Sequence, residues 1–277
     1  MPHAHSPRHH DQADILDLDA EVLAEHTAAI IAGLPVTTEP RRIVDLGSGT
    51  GAGTFALLDR FPEARIAAVD ASAEHLLRLR EKACARGVDG RVDTVRADLD
   101  AAEWPALGTP DLVWASASLH HLADPDRALR RVHDILAPGG LLAVVELAGF
   151  PRFLPADAPE DRPGLEDRCH AVSDSRHSEH LSHRGADWGP ILTAAGFTVD
   201  KERALTVRID GAHNPAVGIY ALNGLRRLRH SVSDALDPAD RTALDHLLDT
   251  DGPGSILRRA DLTLRTERSV WAARRTG

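Results

Sequence analysis

An apolar run that breaks directly into glycines restricts this chain to a narrow set of folds. Arg41-Arg42-Ile43-Val44-Asp45-Leu46 reads as a short buried strand, and Gly47-Ser48-Gly49-Thr50-Gly51-Ala52-Gly53 follows at once. Next the spacing predicts a helix over about 52–60. Glycine is needed where the backbone turns sharply and a ligand must approach the main chain without meeting a Cβ. A strand, a glycine turn and a helix in that order place such a ligand at the carboxyl end of the strand.

The alternation continues downstream. Arg65 to Val69 predicts a second strand ending at Asp70, and Ser72 caps a helix running to about Arg86, with Leu76, Leu79 and Ala83 spaced for burial. Val92 to Ala97 is a third strand ending at Asp98, and Asp111 to Ser116 a fourth. Asp124 and Pro125 form the cap and first turn of a helix whose apolar face is Ala128, Leu129, Val132, Ile135 and Leu136. Pro138-Gly139-Gly140 stops it, and Leu141 to Val145 is a fifth strand ending at Glu146. Strands alternating with helices imply parallel pairing through right-handed crossovers, and near-continuous apolar strands imply a sheet covered on both faces. Residues 36–150 are therefore expected to form an open α/β sheet with its ligand near the switch in strand order.

The flanks follow other rules. Residues 1–13 are polar and His-rich and read as a mobile tail whose four histidines have no fixed geometry for a metal. Residues 14–32 read as one helix, ended by Gly33-Leu34-Pro35. Beyond 150 the cadence breaks. Residues 151–168 read as a loop leading into a helix, 186–196 as a helix ended by Gly196, and 197 to about 209 as a sixth strand. The stretch 215–250 is helical, and 262–274 suggests a terminal strand.

Composition narrows the classes. At 277 residues, 43% hydrophobic and 27% charged, the chain can bury one or two ordinary cores without staples. Cys84 and Cys169 allow at most one bridge, so free thiols in a reducing compartment are expected. A net charge of −10 offers a polyphosphate little, which disfavours a nucleic-acid partner. The longest strongly apolar run, Leu141 to Val145, is far short of the ~20 residues of a membrane span. The N-terminus has no basic segment followed by an apolar one, so a cytoplasmic protein off the membrane is expected.

Acids at the strand ends sharpen the ligand. Asp70 lies 19 residues after Gly51, where a carboxylate can hold vicinal ribose hydroxyls, and Asp98 ends the next strand. Two cofactors fit the residues. Gly47, Gly49 and Ala52 satisfy the Gly-x-Gly-x-x-Gly/Ala expression of a dinucleotide site. Asp45, at the mouth of the turn, instead suits a cationic adenosyl ligand without phosphate.

Asp45-Leu46-Gly47-Ser48-Gly49-Thr50-Gly51 resembles motif I of the class I S-adenosylmethionine-dependent methyltransferases. The resemblance continues in order. Val69-Asp70-Ala71-Ser72 is similar to motif II, whose acid binds the ribose, and Arg96-Ala97-Asp98-Leu99 to the segment whose Asp contacts the adenine amino group. Asp111 to Ser116 with Ala117-Ser118-Leu119-His120-His121-Leu122 resembles motif IV and the Leu-His-His-Leu continuation of small-molecule members. Leu136-Ala137-Pro138-Gly139-Gly140-Leu141 and Ala194-Ala195-Gly196-Phe197 match the turns before strands five and six. The resemblance implies a Rossmann-like α/β sheet of seven strands, the last antiparallel, with S-adenosylmethionine as cofactor. It assigns cofactor contacts to Asp45, Gly47, Ser48, Gly49, Gly51, Asp70, Ala71, Asp98, Leu99 and Ser116. Residues 1–35 become a tail and helix, 36–150 the cofactor-binding core and 151–190 a helical insertion. Residues 191–277 complete the sheet around a second insertion at about 210–260. Both insertions are expected as lids over a small organic acceptor. The same helices would also serve to pad the sheet or to form a homodimer interface.

Transfer from a sulfonium needs alignment of the acceptor more than it needs a base. His120, His121 and Glu146 are the candidates for acting on an acceptor proton, beside the alternative that they are structural. His170, His177, His180 and His183 are candidates to line a lid, and no metal is expected. Asp187 and Trp188 are candidates for the pocket border. Cys169 is isolated, which disfavours cysteine-based chemistry, and Ala115-Ser116-Ala117-Ser118 replaces the motif of amino-methylating DNA enzymes. Two other readings remain: a non-catalytic S-adenosylmethionine-binding regulator and an NAD(P)-dependent oxidoreductase. No Tyr-x-x-x-Lys pair supports the latter.

Overall fold

The computed structural model describes residues 7–177, 183–232 and 235–275. These fall into two compact units. The first holds the chain up to Leu147, His183 to Leu205, and the residues from Arg268 onward; the second holds the described residues of 148–182 and of 206–267.

The first unit is built on α1 (Pro7–Val22), α2 (Ala24–Ala32), β1 (Arg42–Leu46), α3 (Ala52–Arg60), β2 (Arg65–Asp70), α4 (Ala73–Ala85), β3 (Val92–Arg96), β4 (Leu112–Ser116), α5 (Pro125–Ile135) and β5 (Leu141–Leu147). After the excursion through α6 (Leu165–His177), α7 (Trp188–Ala194) and β6 (Phe197–Asp210) follow. The chain then forms α8 (Ala216–Val232) and α9 (Pro238–Leu248) and ends with β7 (Thr263–Arg275). The seven strands lie in the order β3-β2-β1-β4-β5-β7-β6. Neighbours from β3 to β5 pair parallel, and β7 runs antiparallel to β5. This is the α/β sheet expected from the sequence, with its last strand reversed.

The period-2 alternation of β1 explains the layering. Ile43 packs on one face with Ile66, Leu112 and Trp114, covered by Phe55, Leu58 and Leu79 from α3 and α4. Val44 and Leu46 point to the other, with Val113, Val144, Leu129 and Val132. Burying each such side chain is worth roughly 1.5–3 kcal/mol, so a one-residue slip would expose a whole face. Caps set the helix starts: Ser72 accepts from the His75 N–H, and Asp124 accepts from the Arg127 N–H ahead of Pro125.

Two expectations change. The N-terminal helix starts at Pro7, inside the segment read as a tail, and it breaks at Leu23 rather than running unbroken over 14–32. Pro7 suits a first helical position, where a missing N–H costs nothing. Residues 1–6 lie outside the described residues. The helical stretch 215–250 is likewise two helices, with Asp237 and Pro238 capping the second.

In the second unit α6 packs against α8 and α9. The buried Asp240 of α9 accepts from Arg162 at 2.9 Å and from Arg168 at 2.8 Å. Phe153 meets Tyr220 edge-on at 5.3 Å, and the buried Glu166 accepts the Phe153 and Leu154 N–H groups at 2.8–2.9 Å. Burial holds the Glu166 carboxyl up to about 7 against those hydrogen bonds.

Candidate active site

From β1 the chain steps outward to β2 and β3, then returns to β4 on the other side of β1. Loops leave the sheet in opposite directions at such a switch and open a crevice at the carboxyl ends. A cleft of about 400 Å3 lies there. Its walls are the loop after β1, the ends of β2, β3 and β4, and one side of α1.

The glycine loop is held by its neighbours. The Gly47 and Ser48 N–H groups both donate to Val69 O, at 2.8 and 2.9 Å. Gly47 has φ +68°, and a Cβ there would lie 2.4 Å from Ser118 Cβ. No other residue fits. At Gly53 a Cβ would meet Trp114 Nε1 at 2.5 Å, so the start of α3 presses on β4 without any side chain between.

Three carboxylates lie near the carboxyl ends of three strands: Asp45 one residue inside the end of β1, Asp70 the last residue of β2, and Asp98 two residues beyond β3. Asp45 is 2% exposed, and its Oδ2 accepts from Thr54 Oγ1 at 2.6 Å. Burial pushes its carboxyl up to about 7, with the nearby Asp70 charge adding to the rise and the Thr54 bonds opposing it. Asp70 accepts the Gly49 N–H on Oδ2 and the Ser72 N–H on Oδ1, each at 2.8 Å, and His75 Nδ1 lies 3.3 Å from Oδ1. Burial alone would raise Asp70, but the His75 and backbone N–H bonds outweigh it and hold the carboxyl below its usual range. Asp98 is exposed and accepts the Asp100 N–H at 2.9 Å.

Of the residues expected to contact a cofactor, Asp45, Gly47, Ser48, Gly49, Asp70, Ala71, Asp98, Leu99 and Ser116 line this cleft together. Gly51 does not. It caps α3 at φ +101°, where a Cβ would strike Phe55 at 2.6 Å, so its glycine serves the turn. Among the three catalytic candidates, only His121 lines the cleft. His120 and Glu146 are corrected by their burial: each is 2% exposed, with His120 Nδ1 2.5 Å from Glu146 Oε2. Glu146 also accepts the Leu119 N–H at 2.9 Å. The His120 ring lies 4.1 Å from that of His121. The pair is buried behind the turn that carries His121, and neither member lines the cleft.

The remaining candidates lie elsewhere. His170 is buried near Glu166, and burial lowers its pKa to about 4. The side chains of His177 and His180 lie outside the described residues, so the cluster of four is not drawn as one. His183 lies in a turn, its ring 6.0 Å from Trp188, which is fully buried core. Asp187 caps α7 by accepting the Gly189 N–H at 2.9 Å. Trp188 and Asp187 are thus absent from the cleft wall. Among the described residues no three His, Cys, Asp or Glu side chains come together as a metal site, and no helix is long and apolar enough to cross a membrane.

Sequence reasoning missed Thr54, Trp114, Ala117, Asp19 and Arg268. Trp114 stands opposite Asp45 in the β1–β4 register, a placement set by strand pairing and not by local pattern. Ala117, a non-glycine at φ +49° in the cleft wall, carries backbone strain at the switch point.

The cleft suits an adenosyl cation. Ser48 Oγ and Trp114 Nε1 are buried in its wall without a hydrogen-bond partner, and Asp45 is a buried carboxylate whose bonded partner, Thr54, is neutral. Donors for an amino-acid end, an acid for a cation and Asp70 for hydroxyls fit that ligand better than a pyrophosphate.

A family profile described as a methyltransferase domain matches residues 44–142. The trans-aconitate 2-methyltransferase of Acidovorax sp. (strain JS42) is 30% identical over 247 residues, covering 88% of this chain and 84% of its own. The chain belongs to the class I S-adenosylmethionine-dependent methyltransferases. A second relative of this methyltransferase is the malonyl-[acyl-carrier protein] O-methyltransferase of Laribacter hongkongensis (strain HLHK9), 29% identical over 198 residues, covering 65% of this chain and 63% of its own. In fold it resembles a geranyl diphosphate methyltransferase solved with S-adenosylmethionine, at TM-score 0.54 and 16% identity, covering 95% of this chain and 90% of that one. The cofactor is S-adenosylmethionine, and the dinucleotide reading of the glycine loop is set aside.

Proposed function

We propose that this methyltransferase O-methylates a carboxylate of a small organic acid. The observation carrying this reading is an arginine in an acidic cleft: Arg268 lines it together with Asp19, Asp45, Asp70, Asp98 and Asp100. The two relatives described above are named for an aconitate and a malonyl acceptor, both carboxylate compounds.

When bound, S-adenosylmethionine would supply an electrophilic methyl group for the acceptor oxygen, with the neutral thioether of S-adenosylhomocysteine as the leaving group. Ionised Asp45 would hold the cationic end, Asp70 the ribose hydroxyls and Asp98 the adenine edge, with Ser48 Oγ and Trp114 Nε1 as donors. The loop from Gly47 to Gly49 gives backbone contact without a Cβ at Gly47. A carboxylate acceptor is already ionised near neutral pH, so no general base is required, and His121 serves as a hydrogen-bonding wall beside the acceptor. Rate then comes from alignment and exclusion of water. The reading places the enzyme in the cytoplasm, acting on a free metabolite; a net charge of −10 disfavours a nucleic-acid acceptor.

The test is transfer from methyl-labelled S-adenosylmethionine to a panel of di- and tricarboxylates, phenols and amines. Label released from a carboxylate product by mild alkali, as expected of a methyl ester, supports the reading. Label carried by phenols or amines alone, from protein that binds the cofactor, overturns it.

A further inference from the structure

We propose that Arg268 anchors a carboxylate of the acceptor, and that Asp19 of α1 occupies the guanidinium as an internal stand-in for it. This rests on the carboxylate-acceptor reading above. Antiparallel pairing sets Arg268 opposite Leu147, at the carboxyl end of β5, which is the ligand edge of the sheet. Its side chain is 9% exposed and lines the cleft. Among the described lining residues it is the sole lysine or arginine, against Asp19, Asp45, Asp70, Asp98 and Asp100. Among the described lining residues Arg268 is therefore the one permanent cation an anionic acceptor can meet.

The guanidinium has a carboxylate on it already. Arg268 Nη2 donates to Asp19 Oδ1 at 2.9 Å, and Asp19 also lines the cleft. A guanidinium this enclosed needs a counter-charge, because an unpaired buried charge is costly. One bond to Asp19 uses one of five N–H donors, and the planar fork is shaped to take a carboxylate along an edge. The acceptor therefore competes with Asp19 or shares the fork with it. Since Asp19 belongs to α1, the arrival of the acceptor is felt by the helix that walls the cofactor.

The experiment titrates trans-aconitate onto protein saturated with S-adenosylhomocysteine, by calorimetry, for wild type and three variants. Arg268→Lys is expected to weaken binding about tenfold, as charge survives without the fork. Arg268→Met is expected to abolish it, and Asp19→Asn to tighten it several-fold by removing the competitor. In turnover, Arg268→Lys raises KM for the acceptor more than it lowers kcat. A wild-type far-ultraviolet circular dichroism spectrum and a cooperative thermal transition show that each variant is folded. Should Arg268→Met fail that control, Arg268→Lys and Asp19→Asn decide. The proposal is overturned if trans-aconitate binds the Arg268 variants as it binds wild type, if Asp19→Asn weakens binding as Arg268→Lys does, or if wild type binds neither trans-aconitate nor propane-1,2,3-tricarboxylate. Failure of wild type to bind S-adenosylhomocysteine would instead overturn the cofactor assignment. Arg268-dependent binding with methyl placed on nitrogen or a hydroxyl would keep the anchor and sink the carboxylate-methylation reading.

Discussion

Asp45 makes cofactor binding a titration. Burial raises its folded carboxyl to about 7, while an unfolded aspartate ionises near 4. Between those values the folded chain holds a proton that the unfolded chain has lost, so this group's contribution to stability falls as pH rises through the window and is fully unfavourable above about 7. A cationic ligand reverses the preference by favouring the ionised form. S-adenosylmethionine affinity should therefore rise about tenfold from pH 6 to pH 8, with a proton released on binding. Calorimetry in buffers of different ionisation enthalpy reads that proton directly; pH-independent affinity with no proton release would exclude ionised Asp45 as the cation's partner. Asp45→Asn should lose the pH dependence and bind weakly while being more stable than wild type at pH 8. Glu146 gives the opposite case, a buried carboxylate already satisfied by the Leu119 N–H and His120 Nδ1. Glu146→Leu leaves those donors unpaired and should cost about 2–3 kcal/mol in urea unfolding, with cofactor affinity less affected than kcat. Asp70 and Asp98 were legible because each closes an apolar run where a strand stops, and Asp45 because it is an acid two residues before the first glycine of the turn. His120 and His121 were not separable, because one turn of backbone sends the first inward and the second to the cleft.

Among the elements, α1 is the one held by charge. It has no coherent apolar stripe, and beside the contact of Leu16 with Gly49 it is tied to the glycine loop and α4 by hydrogen bonds and ion pairs. Asp17 accepts from Thr50 Oγ1 at 2.5 Å and from Arg78 at 3.0 Å, pairs with Lys82, and Asp14 takes Arg78 at 2.7 Å. Burial alone would raise Asp17, yet Lys82, Thr50 and Arg78 together hold it below its usual range. Partly exposed pairs of this kind are worth at most about 1 kcal/mol each, and salt screens them. Asp17→Asn should therefore weaken S-adenosylhomocysteine binding about fivefold and speed proteolysis within α1. High potassium chloride should do the same to wild type and little more to the variant; equal salt sensitivity in both would place the anchoring elsewhere. The start and break of α1 were misread for the same physical reason. A helix fixed by partners 60 residues away leaves no periodic apolar pattern in its own sequence. The strands β1 to β5 leave one, since both faces of the sheet are buried, and their bounds were read to within a residue or two.

At the scale of the whole chain, the cleft exists only when distant segments have come together. Leu16, Gly47, Asp70, Asp98, Ser118 and Arg268 all line it. Arg268 was invisible to sequence reading because its place depends on β7 entering the sheet antiparallel between β5 and β6, a fact of topology and not of local pattern. A site assembled from such parts has no counterpart in the unfolded chain, so its ligand must stabilise the fold by mass action. At a hundred times its Kd the gain is about 2.7 kcal/mol, which for a chain of this length is a rise in Tm of roughly 5–10 °C. S-adenosylhomocysteine should produce that rise and NAD should produce none, because a pyrophosphate would have to lie against Asp45 and Asp70. Asp70→Ala should remove most of the shift, since the same carboxylate ties the Gly49 and Ser72 N–H groups to the end of β2. That variant must also lower Tm without ligand, so the shift is compared with the variant's own baseline. A full shift in Asp70→Ala would mean that the adenosyl group is held from the other end of the cleft, and the ribose assignment would move with it.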